Sequence, residues 1–161
     1  LLYHGLRRNE LCGLRVCDME LREGVMHFRI LGKGDKIRYV VAHPRAISLI
    51  NEYLNRSGHV FEDKGAMFRP IRNTRTRDLE QAISPDAIYK LVTGYGKKEG
   101  VYFKGMRPHS LRATAATNAL LHDSDIAKVQ DWLGHASIST TRLYDKRSIR
   151  PEDSPTLRVK Y

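Results

Sequence analysis

The sequence predicts a mainly α-helical domain with one small antiparallel β-sheet near its N-terminus, an α+β fold. Three observations favour this class. Prolines at typical helix starts recur at Pro44, Pro85 and Pro108. Two runs of alternating side chains flank a glycine-rich loop at residues 32–35, which is typical of a hairpin. The 161 residues, 41% of them hydrophobic, are enough for one domain with a real core.

The first part of the chain has the spacing of a helix followed by a β-hairpin. Leucines recur at roughly helical intervals at Leu1, Leu2, Leu6, Leu11 and Leu14. They predict a helix over residues 1–14 that ends near Gly13. A strand opening at Gly24 and a second alternating run over residues 36–41 then predict the hairpin.

The middle of the chain combines two predicted helices with a charged loop. One helix starts at Pro44 and stops at Ser57-Gly58. Residues 62–82 are charged and weakly periodic, which predicts a surface loop. The loop holds a cluster of arginines, Arg69, Arg72, Arg75 and Arg77. A second helix begins with Ser84 as its cap and ends at about residue 94 or 96.

Three more helices and a tail are predicted in the C-terminal part. A helix is expected over residues 108–121, and a short one capped by Ser124 ends at Gly134. The last helix spans roughly residues 137–147. Residues 151–161 begin as a linker and end on a short apolar stretch.

The charge balance predicts a polyanionic partner. There are 28 Lys and Arg against 18 Asp and Glu, a formal net charge of +10. Nucleic acid is the first candidate for such a basic chain. No run approaches the roughly 18 apolar residues of a membrane span, so no membrane partner is expected. Cys12 and Cys17 match no metal spacing and are too few for a disulfide scaffold, which favours a reducing cytoplasmic setting.

Two segments near the N-terminus carry candidate functional cations. Arg7 and Arg8 lie in an apolar segment, and Glu10 is placed to hold the Arg7 side chain at i+3. Lys33 lies between two glycines that let the backbone approach a phosphate closely. The alternative for each is an ordinary solvated surface charge.

Two further segments carry candidate groups near the C-terminus. His109 and Arg112 share one helix face, so both can reach one anion, although His109 as a helix cap is the alternative. His135 follows the predicted helix end at Gly134, and the alternative is that it only complements the helix dipole. Tyr144 has helical spacing from apolar neighbours, and such a tyrosine is usually part of a core.

Taken together, these groups are the parts needed for metal-free phosphoryl transfer. Guanidinium groups suit the extra negative charge of a phosphodiester transition state. An imidazole can move the proton of a phenol nucleophile. No carboxylate cluster or His/Cys ligand set is evident in the sequence, so neither a metal nor another cofactor is expected.

The motifs resemble those of a known family. They occur in the order Gly5-Leu6-Arg7 with Glu10-Leu11, Gly32-Lys33-Gly34, His109-Ser110-Leu111-Arg112, Leu133-Gly134-His135, and Ser139-Thr140-Thr141 with Tyr144. In this order and spacing the chain resembles, from residue 1 to about 147, the catalytic domain of the tyrosine recombinases. These are the site-specific DNA recombinases of the phage-integrase family.

The resemblance implies a role for each residue of the site. Tyr144 would attack the scissile phosphate and form a 3′-phosphotyrosyl link, with Arg7 and Arg112 on the non-bridging oxygens. Lys33 would protonate the 5′ leaving oxygen.

The remaining implied roles concern hydrogen bonds and proton transfer. His109 would assist proton transfer at the phenol, and His135 would hydrogen-bond the phosphate. Glu10 would be a supporting partner behind these residues.

The resemblance also implies domains and partners. Residues 1–150 would be the catalytic domain, and residues 151–161 a tail that docks on a neighbouring protomer. The family's N-terminal core-binding domain has no counterpart in this chain, which begins at Leu1. The expected partners are double-stranded DNA at a recombination site and further copies of the protein, as a tetramer in a prokaryote or phage. The loop arginines would track the flanking DNA backbone.

Other functions stay open at this point. A non-catalytic DNA-binding module of the same fold would bind DNA without a covalent product. A type IB topoisomerase uses similar parts and would relax DNA without sequence preference. A metal-dependent nuclease fits poorly, because no pair of acidic residues falls in a convincing motif. An exposed Tyr144 with few fixed contacts is expected in the absence of DNA.

Overall fold

The structure, a computed structural model, describes residues 1–73, 77–147 and 154–158, and for Lys33, Pro155 and Arg158 it describes the backbone alone. The strands of the described part are β1 (Met19–Arg22), β2 (Val25–Leu31) and β3 (Ile37–Val41). Its α-helices are α1 (Arg8–Gly13), α2 (Pro44–Ser57), α3 (Pro85–Lys98), α4 (Pro108–Leu121), α5 (Ile126–Leu133) and α6 (Ile138–Arg142). None of the helices within these ranges has the length and apolar character needed to cross a bilayer. The predicted α+β class is confirmed.

The sheet is a three-stranded antiparallel meander in the order β1-β2-β3. Phe28 pairs with Met19 on one side and with Val40 on the other. Phe28, Ile30 and Val40 are almost fully buried and form the centre of the first core cluster. The predicted hairpin is therefore correct. Strand β1 was not predicted, because its four residues are too few to show an alternating pattern.

A second core cluster joins the C-terminal helices. It consists of Ala116, Leu120, Val129 and Leu133, which lie on α4 and α5. Trp132 packs against both core clusters, so it links the sheet to the helices. This link brings the C-terminal end of α5 close to β3.

The helices that begin with proline match the prediction best. Helix α2 starts at Pro44 and ends at Gly58, which adopts the left-handed conformation of a helix C-cap. Helix α4 covers the predicted residues 108–121.

Helix α5 ends as predicted, but its N-cap is Asp125, whose carboxylate accepts hydrogen bonds from the backbone N–H groups of residues 127 and 128. The predicted cap, Ser124, lies one residue earlier.

The predicted N-terminal helix over residues 1–14 is wrong, since α1 starts only at Arg8. Gly5 has φ +56°, which interrupts any helix there. A Cβ at Gly5 would lie 2.6 Å from Leu133 Cδ2, so α5 packs directly against this backbone. The regular leucine spacing reflects packing around that turn.

Two other helix ends differ from the prediction. Helix α3 continues through Gly94 and Gly96 to Lys98, because Gly96 serves close packing: a Cβ there would lie 2.6 Å from Met106 Sδ. Helix α6 ends at Arg142, short of the predicted residue 147, so Tyr144 lies in the turn that follows it.

Residues 62–73 and 77–82 contain neither helix nor strand, as predicted, but the prediction that the whole segment lies on the surface is wrong. Met67 is fully buried in the first core cluster, and the neighbouring Ala66 forms an isolated β-bridge with Arg15. Arg75 lies outside the described residues. Of the tail, only residues 154–158 are described, and Pro155–Arg158 form a 3₁₀ turn.

Candidate active site

The candidate site is built around the last three carbonyls at the end of α5, those of residues 132–134, here called the carbonyl end of α5. A helix C-terminus leaves such carbonyls without intrahelical partners and carries partial negative charge. Gly134, with φ +65°, turns the chain out of the helix and leaves them accessible. Three guanidinium groups donate to this carbonyl end, from Arg7, Arg38 and Arg112.

Arg112 is the most deeply buried of the three, with 1% of its surface exposed. Its Nη2 donates to Leu133 O at 2.7 Å, and its Nη1 donates to Gly5 O. Burial, with a smaller contribution from the charge of Arg7, lowers the pKa of Arg112 to about 10. The group is therefore still a cation at neutral pH. It lies in the wall of an open cleft that His109 also lines.

Arg7 is more open to solvent and is held by Glu10. Its side chain is 40% exposed, whereas that of Glu10 is 5% exposed. Arg7 Nη1 donates to Glu10 Oε1 at 2.7 Å, and its backbone N–H donates to Oε2 at 2.8 Å. Arg7 Nη2 donates to Gly134 O at 2.9 Å. The expected support of Arg7 by Glu10 is thus present in the structure.

Glu10 is ionised despite its burial. Burial raises the pKa of its carboxyl, but hydrogen bonds from Arg38 and Arg7 outweigh this and hold the pKa at about 2. Arg38 donates from Nη1 to Oε1 at 2.9 Å and from Nη2 to Oε2 at 2.8 Å. The carboxylate therefore lies between two guanidinium groups.

His135 lies just beyond the carbonyl end of α5. Its Nδ1 is 2.9 Å from the hydroxyl oxygen of Thr141, which is fully buried on α6. Burial, together with the nearby charges of Arg112 and Arg7, lowers the pKa of His135 to about 4. The imidazole is therefore neutral at pH 7.

Tyr144 lies beside two histidines. Its hydroxyl oxygen is 3.3 Å from His109 Nε2, and its ring centre is 5.9 Å from that of His135. The backbone carbonyl of Tyr144 accepts a hydrogen bond from Thr117 Oγ1 at 3.1 Å. Its half-buried side chain also packs against the second core cluster. Tyr144 therefore has more contacts than the sequence led us to expect.

Lys33 is placed by its backbone alone. It lies in the turn Lys33–Asp35 between β2 and β3, where Gly34 has φ +71°. This turn borders a cleft that Arg7 and His135 also line. The side chain of Lys33 lies outside the described residues.

The loop arginines do not join this site in any contact found within the described residues. Arg69 is ion-paired with Glu62, which neutralises part of its charge. Arg72 and Arg77 are exposed, and Arg77 has φ +57°. Their assignment to the DNA backbone stays a prediction.

Arg38 and Thr141 are the two residues of the site that sequence reasoning missed. Arg38 had no usable signal, because the opposite strand phase holds the apolar Ile37, Tyr39 and Val41, and only the structure shows that Val40 and Arg38 face inward. Thr141 had a weak signal: the family motif contains it but does not distinguish it from the adjacent Thr140. Within the described residues no group of three His, Cys, Asp or Glu side chains is placed to hold a metal ion.

Comparison with known proteins places this geometry in a family. Residues 1–149 match the family model described as "Phage integrase family". The chain is 35% identical over 147 residues to the tyrosine recombinase XerA of Pyrococcus furiosus, which covers 91% of this chain and 48% of that protein. It is 35% identical over 140 residues to the tyrosine recombinase XerC of Thermodesulfovibrio yellowstonii, covering 87% of this chain and 45% of that protein. The chain thus spans about half the length of these relatives.

Solved structures show the same similarity. The crystal structure of XerA recombinase superposes with a TM-score of 0.73 and 30% identity, covering 99% of this chain and 55% of the other. A post-cleavage complex of the site-specific recombinase XerH with a palindromic difH substrate gives a TM-score of 0.72 and 32% identity. It covers 89% of this chain and 39% of the other.

Proposed function

Because the chain belongs to the phage integrase family, we propose that it is the catalytic part of a site-specific DNA recombinase. The enzyme cuts and rejoins DNA strands through a 3′-phosphotyrosyl intermediate, without ATP. The observation that carries this proposal is the position of the Tyr144 hydroxyl. This oxygen lies 3.3 Å from Nε2 of His109. His109 is on helix α4, which also carries the buried cation Arg112.

Every bond and every proton of the cleavage step can be accounted for. The Tyr144 oxygen attacks the scissile phosphorus, and the phenol proton passes to His109. The bond from phosphorus to the 5′ oxygen breaks, and that oxygen takes a proton from Lys33. Attack of a free 5′-hydroxyl on the phosphotyrosine then reverses the step and releases the tyrosine. Since each bond broken is replaced by an equivalent one, the cycle needs no external energy.

The arginines bind the phosphate during this step. Arg7 and Arg112 are preorganised by the carbonyl end of α5, so they need little rearrangement as negative charge develops on the non-bridging oxygens. His135 is neutral and donates a hydrogen bond to a phosphate oxygen from Nε2, with Nδ1 accepting from the Thr141 hydroxyl.

The proposed partners are double-stranded DNA carrying a recombination site and three further copies of the protein. A DNA complex of XerH, a structural relative above 30% identity, supports the choice of DNA. We place the protein in the cytoplasm of a prokaryote or phage-infected cell. Residues 1–150 form the catalytic domain, and residues 151–161 dock on a neighbouring protomer. Deleting residues 152–161 should therefore weaken cooperative assembly on DNA more than binding to a single site.

The experiment begins with a pool of nicked duplexes of randomised sequence, incubated with the protein in EDTA. Adducts that survive denaturation are isolated, and their DNA is sequenced to define a substrate. We expect Tyr144→Phe to abolish the adduct, while Tyr95→Phe, a change at a 61% exposed tyrosine of α3, leaves it unchanged.

Each of the other outcomes contradicts the proposal in its own way. Salt-sensitive DNA binding with no adduct from the unaltered protein would identify a binding module. Relaxation of supercoiled DNA without sequence preference would identify a topoisomerase. An adduct that persists in Tyr144→Phe would disprove the assignment of the nucleophile.

A further inference from the structure

Arg38 of β3 is the third guanidinium at the carbonyl end of α5, and the proposed reaction gives it no role. Its side chain is 15% exposed and points inward from the sheet. Both terminal nitrogens bind the Glu10 carboxylate, at 2.9 and 2.8 Å, in a two-pronged arrangement. Its Nε donates to Trp132 O at 3.1 Å. One side chain thus connects β3, α1 and α5.

The Glu10 carboxylate is shared between Arg38 and Arg7. Each carboxylate oxygen accepts one hydrogen bond from Arg38 and one from Arg7, the latter from its Nη1 and its backbone N–H. A carboxylate that is only 5% exposed depends strongly on such partners. Without Arg38 the carboxylate would be attracted to Arg7 alone and free to rotate toward it. Arg7 would then lose its fixed direction toward the site.

Gly134 shows that the position of Arg38 is closely constrained. A Cβ on Gly134 would lie 3.2 Å from both Arg38 Cδ and Arg38 Nη1. The guanidinium therefore packs directly against the backbone that precedes His135. Arg38 therefore has little room to move away from Glu10.

We propose that Arg38 is a positioning residue for the strand-transfer reaction. Its forked guanidinium holds Glu10 in the orientation that directs Arg7 toward the scissile phosphate, and Arg38 itself does not bind the DNA. The inference rests on the proposed function for its effect on the reaction. The geometry of the Glu10 contacts is open to a separate test.

The kinetic test uses the full chain and the duplex selected above. We expect Arg38→Gln to slow adduct formation about 100-fold and Arg38→Lys, which keeps the charge but not the fork, about 10-fold. Because Arg38 acts through Arg7, Arg7→Ala with Arg38→Gln should be no slower than Arg7→Ala alone, within about twofold. Arg22→Gln, an exposed arginine of the same sheet, is the matched control and should react at the unaltered rate.

Two kinetic results would overturn the proposal. One is a double variant whose rate of adduct formation falls by the product of the two single-variant factors, because Arg38 would then act independently of Arg7. The other is an Arg38→Lys protein that reacts at the unaltered rate. This second variant keeps the test decisive if Arg38→Gln does not fold, which circular dichroism would reveal.

A second readout does not depend on activity. In protein labelled with ¹³C at glutamate carboxyls, the Glu10 resonance should titrate near pH 2. In Arg38→Gln its midpoint should rise by about one pH unit or more, because one of two neighbouring cations is gone. An unchanged midpoint would overturn the proposal. Failure of the unaltered protein to form any adduct would instead count against the proposed function, and the Glu10 titration would still test whether Arg38 holds the Glu10 carboxylate.

Discussion

The two sides of the candidate site are built differently. On the arginine side, Arg112 and Glu10 are almost fully buried, and guanidinium groups, carboxylate and helix carbonyls are joined by hydrogen bonds. On the tyrosine side, the hydroxyl of Tyr144 has one hydrogen-bond partner among the described residues, the exposed His109 at 3.3 Å. The fold therefore holds the arginines of the proposed phosphate site more firmly than it holds the hydroxyl of the proposed nucleophile.

The difference has a physical basis. A buried guanidinium is stable only when carbonyls or carboxylates replace the water it loses, so the arginine side needs a complete set of partners. Tyr144 lies in the turn after the five-residue helix α6, where Thr117 and the second core cluster hold its carbonyl and its ring but not its hydroxyl. In the proposed reaction this hydroxyl adjusts to the in-line geometry of each substrate strand. Four predictions test this difference between the arginine side and the tyrosine side.

The largest effect is expected from Tyr144→Phe. Adduct formation should fall by at least about 10⁴-fold because the nucleophile is gone. The free energy of unfolding should change by no more than about 0.5 kcal/mol, since the hydroxyl has one exposed contact. Denaturing gels and urea unfolding give the two values. A stability loss near 2 kcal/mol would place the hydroxyl among the structurally essential groups.

Arg112→Met should reduce activity and stability together. Loss of the guanidinium leaves Gly5 O and Leu133 O short of donors and should cost about 2–4 kcal/mol in urea unfolding. Adduct formation should slow about 10²- to 10³-fold. Arg8→Met, at an exposed position of α1, is the control and should unfold as the unaltered protein does. Equal stability of Arg112→Met and Arg8→Met would contradict the structural role of Arg112.

Gly134→Ala tests the close packing of the arginine side. The new Cβ meets Arg38 at 3.2 Å in a backbone with φ +65°. Gly24→Ala provides a control, because Gly24 has φ +76° but open space around its Cβ position. Both should lose about 1 kcal/mol through backbone strain, and Gly134→Ala about 1 kcal/mol more through the contact with Arg38. Equal losses of unfolding free energy in the two variants, from thermal or urea unfolding, would show that the Arg38 side chain moves aside without cost.

The last effect is absent at neutral pH and concerns acid stability. The pKa of His135 is about 4 in the folded protein against 6.5 as its ordinary value, so the unfolded chain binds more protons between these limits. Its contribution to stability is complete above pH 6.5 and declines as the pH falls toward 4. His135→Asn should therefore flatten the loss of stability between pH 6.5 and 4, measured by urea unfolding. Parallel curves for the two proteins would show that His135 titrates normally. His4, with a pKa also of about 4, contributes in the same window and is unchanged in both proteins.

The elements that could be predicted are those with a local signal. A proline in the first helical turn determines a helix start through its own dihedral angle, so Pro44 and Pro108 marked their helices correctly. The leucines of residues 1–14 were misleading, because Gly5 adopts its turn against Leu133, a contact the local pattern does not contain. In the same way, Gly96 resembled a helix end but serves packing against Met106.

The candidate site was predictable to a similar extent. Family motifs identified its six proposed residues, and the structure brings Arg7, Arg112, His109, His135 and Tyr144 together. The motif Leu133-Gly134-His135 marks the end of α5, but it does not show that three arginines donate to the carbonyls there, because every residue has a backbone carbonyl. Arg38 was overlooked because the apolar side chains of Ile37, Tyr39 and Val41 occupy the other face of its strand, so the pattern indicated an outward-facing charge.

The position of the carbonyl end of α5 has a consequence for biosynthesis. Arg38 reaches Trp132 across 94 positions of the chain, and Arg7 reaches Gly134 across 127. During translation the N-terminal arginines leave the ribosome long before α5 does, and loops of this length close late in folding. A chain that ends before α5 lacks the carbonyl acceptors of Arg7, Arg38 and Arg112. The arginines of the proposed phosphate site are therefore held in place only after nearly the whole domain has been made and folded.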